Sequence, residues 1–219
     1  NHRFFLPPDI FNQKEIEFPT PVARQIASVL RLKSGQTVSI LDNLGNIRDV
    51  VLNEISRQRV MGTGNIVLPA GGEPRAHLIL CPAITQREKF ELILQKGCEL
   101  GVKEFRPILT SRTLAQDKLG WEGKLSRWHK ILQEAAEQCG RGLVPEIFPP
   151  EALESVIKDF ADSPGLILHE KAKTKWDIQS IKSMESAVTL FIGPEGGFSE
   201  EEMTFSTEKG LVPVSIGDR

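Results

Sequence analysis

A chain of 219 residues, 40% hydrophobic and 26% charged, has room for one large globular domain or two modest ones, each with its own core. The net charge of −2 is near neutral, and no apolar run approaches the ~20 residues needed to span a bilayer, which argues against a membrane protein. Three cysteines without Cys-x-x-Cys spacing and four histidines without paired ligand spacing point to no disulfide framework and no metal site.

The first residues, Asn1 to Pro8, are too short and too soon broken by proline for a signal peptide. Arg3-Phe4-Phe5 sets two aromatics beside a cation. Pro21 to Leu32 reads as a short helix with Val22, Ile26, Val29 and Leu30 on one face, ended by Ser34-Gly35. Thr37–Leu41 and Ile47–Leu52 flank Asp42-Asn-Leu-Gly-Asn46 as a hairpin, and Arg59–Gly62 and Asn65–Leu68 offer further strands. Pro69-Ala-Gly-Gly-Glu-Pro74 is a turn-rich linker, so residues 1–70 are expected to form a small barrel and 75–219 a second domain.

Beyond the linker the period changes. His77–Ile84 is a strand, Arg87–Leu100 an amphipathic helix, Phe105–Leu109 a strand and Trp121–Cys139 a long helix closed by Gly140. Glu151–Phe160 reads as helix, and Gly165–Leu168, Val188–Ile192 and Val212–Ile216 as strands. Strands alternating with helices predict an α/β domain with a mostly parallel sheet. Cys81, Cys98 and Cys139 are expected as buried thiols in a reducing cytoplasm. Residues 1–75 carry nine Lys and Arg against seven Asp and Glu, 76–150 eleven against nine, and 151–219 seven against thirteen. The acidic excess is therefore confined to the last third; the tilt is surface scatter by default, and a polyanion-facing bias of the first two thirds if they bind one.

The most informative stretch follows Val188–Ile192. Gly193-Pro-Glu-Gly-Gly197 runs into Ser199 and Glu202, a capping box that starts a helix. Strand, glycine loop and helix is either a tight connection or a ligand loop at the carboxyl edge of the sheet. Glu195 is expected there as a buried carboxylate needing a partner. The loop has neither the spacing of a triphosphate cradle nor that of a dinucleotide fingerprint, and contains no Lys or Arg. A nucleoside with an amino-acid tail, read by backbone groups, fits better. Ser111-Arg112-Thr113 and Leu168-His169-Glu170 end other strands with polar residues; they are loops by default and ligand contacts if a site lies above them. Glu137, Gln138 and Arg141 cluster around a helix end, where Arg141 is a capping neighbour or a grip for phosphate or a nucleobase carbonyl.

Taken in order, His2–Phe5, Val29–Gly35, Gln95–Gly101, Arg127–Lys130, Glu134–Arg141 with Val144–Ile147, Leu168–Ala172 and Ile192–Ser199 resemble the SPOUT-type methyltransferases that modify N3 of a uridine in 16S ribosomal RNA, the RsmE-type enzymes of the small subunit. The resemblance runs the length of the chain. It implies an N-terminal PUA-like or OB-like β-barrel for RNA, a C-terminal domain tied in a deep trefoil knot, a cytoplasmic homodimer, and S-adenosylmethionine bent in the knot loops. By matching position, Leu168, His169 and Glu170 form one cofactor wall, Gly193, Pro194, Glu195 and Gly196 a second, and Ile216 with Gly217 begin a third. Arg112, Gln138 and Arg141 match positions facing RNA; Arg3, beside aromatics that are core by default, is a further candidate RNA contact. Arg141 is the candidate to stabilise charge on the uracil carbonyls, and Glu137 is the candidate proton acceptor. The family pattern continues past Arg219 with an arginine- and threonine-bearing segment, and a chain ending at Arg219 is expected to bind cofactor weakly. A SPOUT enzyme acting on another RNA, or a non-catalytic RNA-binding protein, is the alternative; the latter would bind RNA in a salt-sensitive way without binding the cofactor.

Overall fold

The computed structural model describes residues 1–56, 58–113, 120–160, 165–172 and 187–216. The chain packs as two units: Asn1–Glu73 with Gln133–Val144, and Pro74–Leu132 with Pro145–Arg219.

The first unit is a mixed sheet of β1 (Arg3–Phe5), β2 (Glu15–Glu17), β3 (Thr37–Leu41), β4 (Asn46–Ile55), β5 (Val60–Gly64) and β6 (Leu68–Pro69). Its order is β1-β3-β4-β5-β2, with β6 on β4; only the β1–β3 pair is parallel. Alternation on β3 and β4 sends Val38, Ile40, Val50 and Leu52 inward, where they meet Phe4, Phe11, Ile16 and Ile26. The β3–β4 turn is fixed by the Asp42 carboxylate, which accepts from the Leu44 and Asn46 backbone N–H groups at 2.8 and 3.0 Å.

The helix expected over 21–32 is shorter and changes pitch. α1 is Pro8–Phe11 and α2 is Thr20–Arg24, which passes into a π-helical turn, Gln25–Val29, where Leu30 N–H donates to the Gln25 carbonyl. The wider winding keeps Ile26 buried but leaves Val29 73% exposed, off the face where a regular helix would put it.

The second unit holds α3 (Arg87–Glu99), the start of α4 (Trp121–Cys139), α5 (Leu153–Asp159) and α6 (Glu200–Glu208). Its strands are β7 (His77–Pro82), β8 (Glu104–Phe105), β9 (Ile108–Leu109), β10 (Glu146–Ile147), β11 (Glu151–Ala152), β12 (Gly165–Leu168), β13 (Ala187–Ile192) and β14 (Val212–Val214). The main sheet runs β10-β8-β7-β13-β12-β14 and every pair in it is parallel. The strand expected over 105–109 is two. The ladder to β7 ends at Phe105, with the Arg106 N–H still donating to the Leu80 carbonyl, and β9 pairs with β11 in a separate ribbon, where the Pro107 carbonyl accepts from the Glu151 N–H. Glu151–Ala152 thus belongs to a strand, not to the start of the following helix.

The last turns of α4 and the segment to Val144 pack with the first unit, although the sequence periodicity assigned them to the second. Specific hydrogen bonds explain this. Phe5 N–H donates to Glu137 Oε1 at 3.1 Å, and Val144 N–H donates to Asn43 Oδ1 at 2.7 Å. Cys81 and Cys98 are buried free thiols, but Cys139 is exposed, against expectation, because it faces outward on the final helical turn.

Candidate functional site

Strands β13, β12 and β14 are neighbours with their carboxyl ends level: Ile167 pairs with Phe191 and Leu168 with Val214. The His169 N–H, donating to the Val214 carbonyl at 3.0 Å, carries the ladder one residue further. The loops that begin at Leu168, Gly193 and Ser215 therefore leave adjacent positions of one sheet edge, where α/β folds place ligands.

The glycine loop is a tight turn, with Gly197 N–H donating to the Pro194 carbonyl at 2.8 Å and Gly197 at φ +68°. A Cβ on Gly193 would stand 3.1 Å from the Phe198 ring and 3.3 Å from the Gly197 backbone, so a side chain there would press on both. The capping box is present: Ser199 Oγ accepts from Glu202 N–H and Glu202 Oε2 accepts from Ser199 N–H. Glu202 also reaches outside its helix, because Oε1 accepts from Ser111 N–H at 2.6 Å. One buried carboxylate thus ties the loop after β9 to the start of α6. Arg112, one residue on, donates through Nη1 to the Gly196 carbonyl. The polar loop 111–113 is therefore bound to the glycine loop, a link that no local sequence signal carries.

Glu195 differs from expectation. Its side chain is 48% exposed and forms an ion pair with Lys89 Nζ at 2.9 Å, a partner 106 residues away. Hydrogen bonding from Lys89, with a smaller contribution from its own backbone, lowers its pKa. Leu168 and His169 are half-buried, Glu170 is exposed and Ile216 is 79% exposed. Gly217 lies outside the described residues. Among the described wall residues there is no Lys or Arg. Bare glycine backbone with the apolar Leu168 and Ile216 suits a nucleoside read by backbone groups. Among the described residues no group of three His, Cys, Asp or Glu side chains could hold a metal, and no helix is long and apolar enough to cross a membrane.

Beside the Lys89–Glu195 pair lies a cleft of about 540 Å³ with Phe90, Trp121 and Trp128 among its lining residues. At its rim Glu91 receives hydrogen bonds from Arg127 and Arg87, which hold its carboxyl at about 2. Phe90 and Trp128 are buried, so this cleft has no signature in the helical periodicity of the sequence.

In the first unit Arg3, Glu137 and Gln138 line one cavity of about 310 Å³. Burial raises the Glu137 pKa, against hydrogen bonds from the Gln133 side chain and Phe5 N–H. Arg141 does not face this cavity. It is 3% exposed, and its Nε and Nη2 donate to the Glu73 carboxylate at 3.2 and 2.8 Å. Gly140, at φ +84°, caps the helix, and the Arg3 guanidinium lies against it: a Cβ there would be 3.0 Å from Arg3 Cζ. Arg141 is thus a buried tether to the linker residue Glu73, where the sequence left a capping neighbour or an anion grip open.

A family model described as an RNA methyltransferase domain matches residues 72–219. A ribosomal RNA small subunit methyltransferase E from Synechocystis is 27% identical over all of this chain and 72% of its own length. The protein of the same name from Mesomycoplasma hyopneumoniae is 29% identical over all of this chain and 92% of its own. The structure of such an enzyme from Neisseria gonorrhoeae, bound to S-adenosyl methionine, matches with a TM-score of 0.90 at 25% identity, covering 100% of this chain and 90% of that one. A Legionella pneumophila methyltransferase in complex with the same cofactor matches with a TM-score of 0.89 at 29% identity over 99% of this chain and 89% of its own.

Proposed function

The chain belongs to the RNA methyltransferase domain family, and from that premise we propose that it transfers the methyl group of S-adenosylmethionine to N3 of a uridine in small-subunit ribosomal RNA. The observation that carries this reading is that three loops leave adjacent ends of β13, β12 and β14. It is supported by likeness to two cofactor-bound methyltransferases over nearly the whole chain.

In this reading Leu168, His169 and Glu170, then Gly193 to Gly196, then Ile216 with Gly217 hold the cofactor. It supplies, when bound, a methyl group already activated on a sulfonium sulfur. The protein therefore needs to orient more than to activate, and ideal alignment of two reactants is worth on the order of 7–11 kcal/mol. Arg112, fixed on the Gly196 carbonyl, stiffens the glycine loop and keeps its other N–H groups for RNA. Arg3 and Gln138 supply RNA contacts from the first unit. Arg141, its charge engaged by Glu73, enters as a positioning residue for the end of α4 and not as a group touching uracil. The uridine has to be unpaired or extruded, because N3 lies on its Watson–Crick edge.

The finer architecture belongs to the same proposal. The mixed sheet of the first unit is read as a PUA-like or OB-like barrel. The insertion of β13 between β7 and β12 supports a knotted connection. A cytoplasmic homodimer follows from the family resemblance; the exposed Leu92 and Leu100, at 53% and 81%, offer apolar surface on and just beyond α3 for it.

The test is transfer of labelled methyl from S-adenosylmethionine to small ribosomal subunits from cells lacking the enzyme. Label in the small-subunit RNA is expected. Label absent from that RNA, with the protein folded, refutes the reading.

A further inference from the structure

The cavity of the first unit has features that RNA binding in general does not require. Its walls include Arg3, Phe4, Gln25, Glu134, Glu137 and Gln138. Two carboxylates beside one guanidinium make it a poor phosphate site. Phe4, 2% exposed, and the half-buried Leu30 give it an apolar part, while the polar groups supply both donors and acceptors. That mixture suits the flat face and polar edge of a base.

Glu137 is held in place. Its Oε1 accepts from Phe5 N–H at 3.1 Å and from Gln133 Nε2 at 3.0 Å, and Oε2 has no partner among the described residues. Arg3 makes no ion pair among the described residues, and its guanidinium rests on Gly140. Gln138 is exposed at the rim with no partner of its own among them. A fixed open acceptor thus stands near uncommitted donors.

We propose that this cavity is a nucleobase pocket that reads the lactam edge of an unpaired uracil or guanine, Glu137 Oε2 accepting the ring N–H and Arg3 or Gln138 donating to the flanking carbonyl. The inference rests on the reading of RNA as substrate and extends it to a second nucleotide. The base held here is not the one methylated. N3 of a uracil has a single in-plane direction, which cannot point at the Glu137 carboxylate and at a methyl donor together. In this proposal Glu137 reads a neighbouring base. Adenine and cytosine present a ring-nitrogen lone pair to the carboxylate and are repelled. Burial already desolvates Glu137, so a donor arriving at Oε2 relieves a cost present in the free protein.

The test uses the whole protein and short single-stranded oligonucleotides of uridine, 3-methyluridine and adenosine, with binding read by fluorescence anisotropy. Uridine should bind about tenfold tighter than 3-methyluridine, the order of one good base-edge contact. Glu137→Gln, which keeps an acceptor for Phe5 N–H, should bring that ratio close to one with an unchanged melting temperature. Arg3→Ala should weaken uridine binding more than adenosine binding. Equal binding of uridine and 3-methyluridine overturns the proposal, as does a ratio that survives Glu137→Gln. Calorimetry with S-adenosylmethionine runs alongside. Absence of cofactor binding with the uridine preference intact refutes the methyltransferase reading and leaves the pocket standing.

Discussion

Replacing Glu202 by alanine removes the carboxylate that joins two loops. Its oxygens accept from Ser111 N–H at 2.6 Å and from Ser199 N–H at 2.8 Å, and the residue is 7% exposed. Hydrogen bonds to an ionised group contribute about 1.5–3 kcal/mol each, and because Ser111 is exposed to water the low end applies to both. The expected loss is thus about 3 kcal/mol. At roughly 2–4 °C per kcal/mol for a chain of this size, the melting temperature should fall by about 6–12 °C. Ser199→Ala, which loses only the cap to Glu202 N–H, should cost about 1 kcal/mol and serves as the comparison. Thermal melting with and without S-adenosylmethionine reads both variants, and Glu202→Ala should also bind the cofactor more weakly because Arg112 and Gly196 lose their shared anchorage. A Glu202→Ala protein within about 0.5 kcal/mol of the parent would refute the clamp, since that is the range of ordinary surface changes.

Gly193→Ala puts a methyl group 3.1 Å from the Phe198 ring, and overpacking of this kind costs about 1–3 kcal/mol; melting and cofactor calorimetry should both register it. Arg141→Ala leaves Glu73 without its buried partner and should destabilise by about 3 kcal/mol, with part recovered in the double variant Arg141→Ala/Glu73→Ala. Turnover of Arg141→Ala should drop more than its affinity for S-adenosylmethionine; an equal fall in both would contradict a positioning role at the end of α4. Glu91 titrates at about 2 in the folded chain against an ordinary 4.5, so its contribution to stability is full above about 4.5 and is lost as the pH falls toward 2. The stability gap between the parent and Glu91→Gln should therefore close on acidification through that window, and a gap independent of pH would refute the assignment.

Where local chemistry decides structure, it was legible in the chain. The run Val188–Ile192, the glycines after it and the Ser199–Glu202 box each act within a few residues, and together they set strand, turn and helix as expected. Asp42 likewise fixes its turn within four residues. What local signals could not show are pairings that only the fold brings together: Lys89 with Glu195, Ser111 with Glu202, and Glu73 with Arg141. Each changed the meaning of a residue. Glu195 moved from a buried carboxylate to an exposed ion pair, and Arg141, left open as a capping neighbour or an anion grip, gained a buried partner. The break between Phe105 and Ile108 falls at Pro107, which periodicity alone reads as strand interior. The π-helical turn at Gln25–Val29 had no local signal, because its pitch answers to packing around Ile26.

The central claim concerns one atom of one base, and the most direct measurement is nucleoside analysis of the labelled RNA. After transfer from labelled S-adenosylmethionine to small subunits, the RNA is digested and its nucleosides are separated by chromatography and mass spectrometry. The account predicts label in 3-methyluridine alone. Label in a ribose 2′-O-methyl nucleoside, or in any base other than uracil, would contradict it.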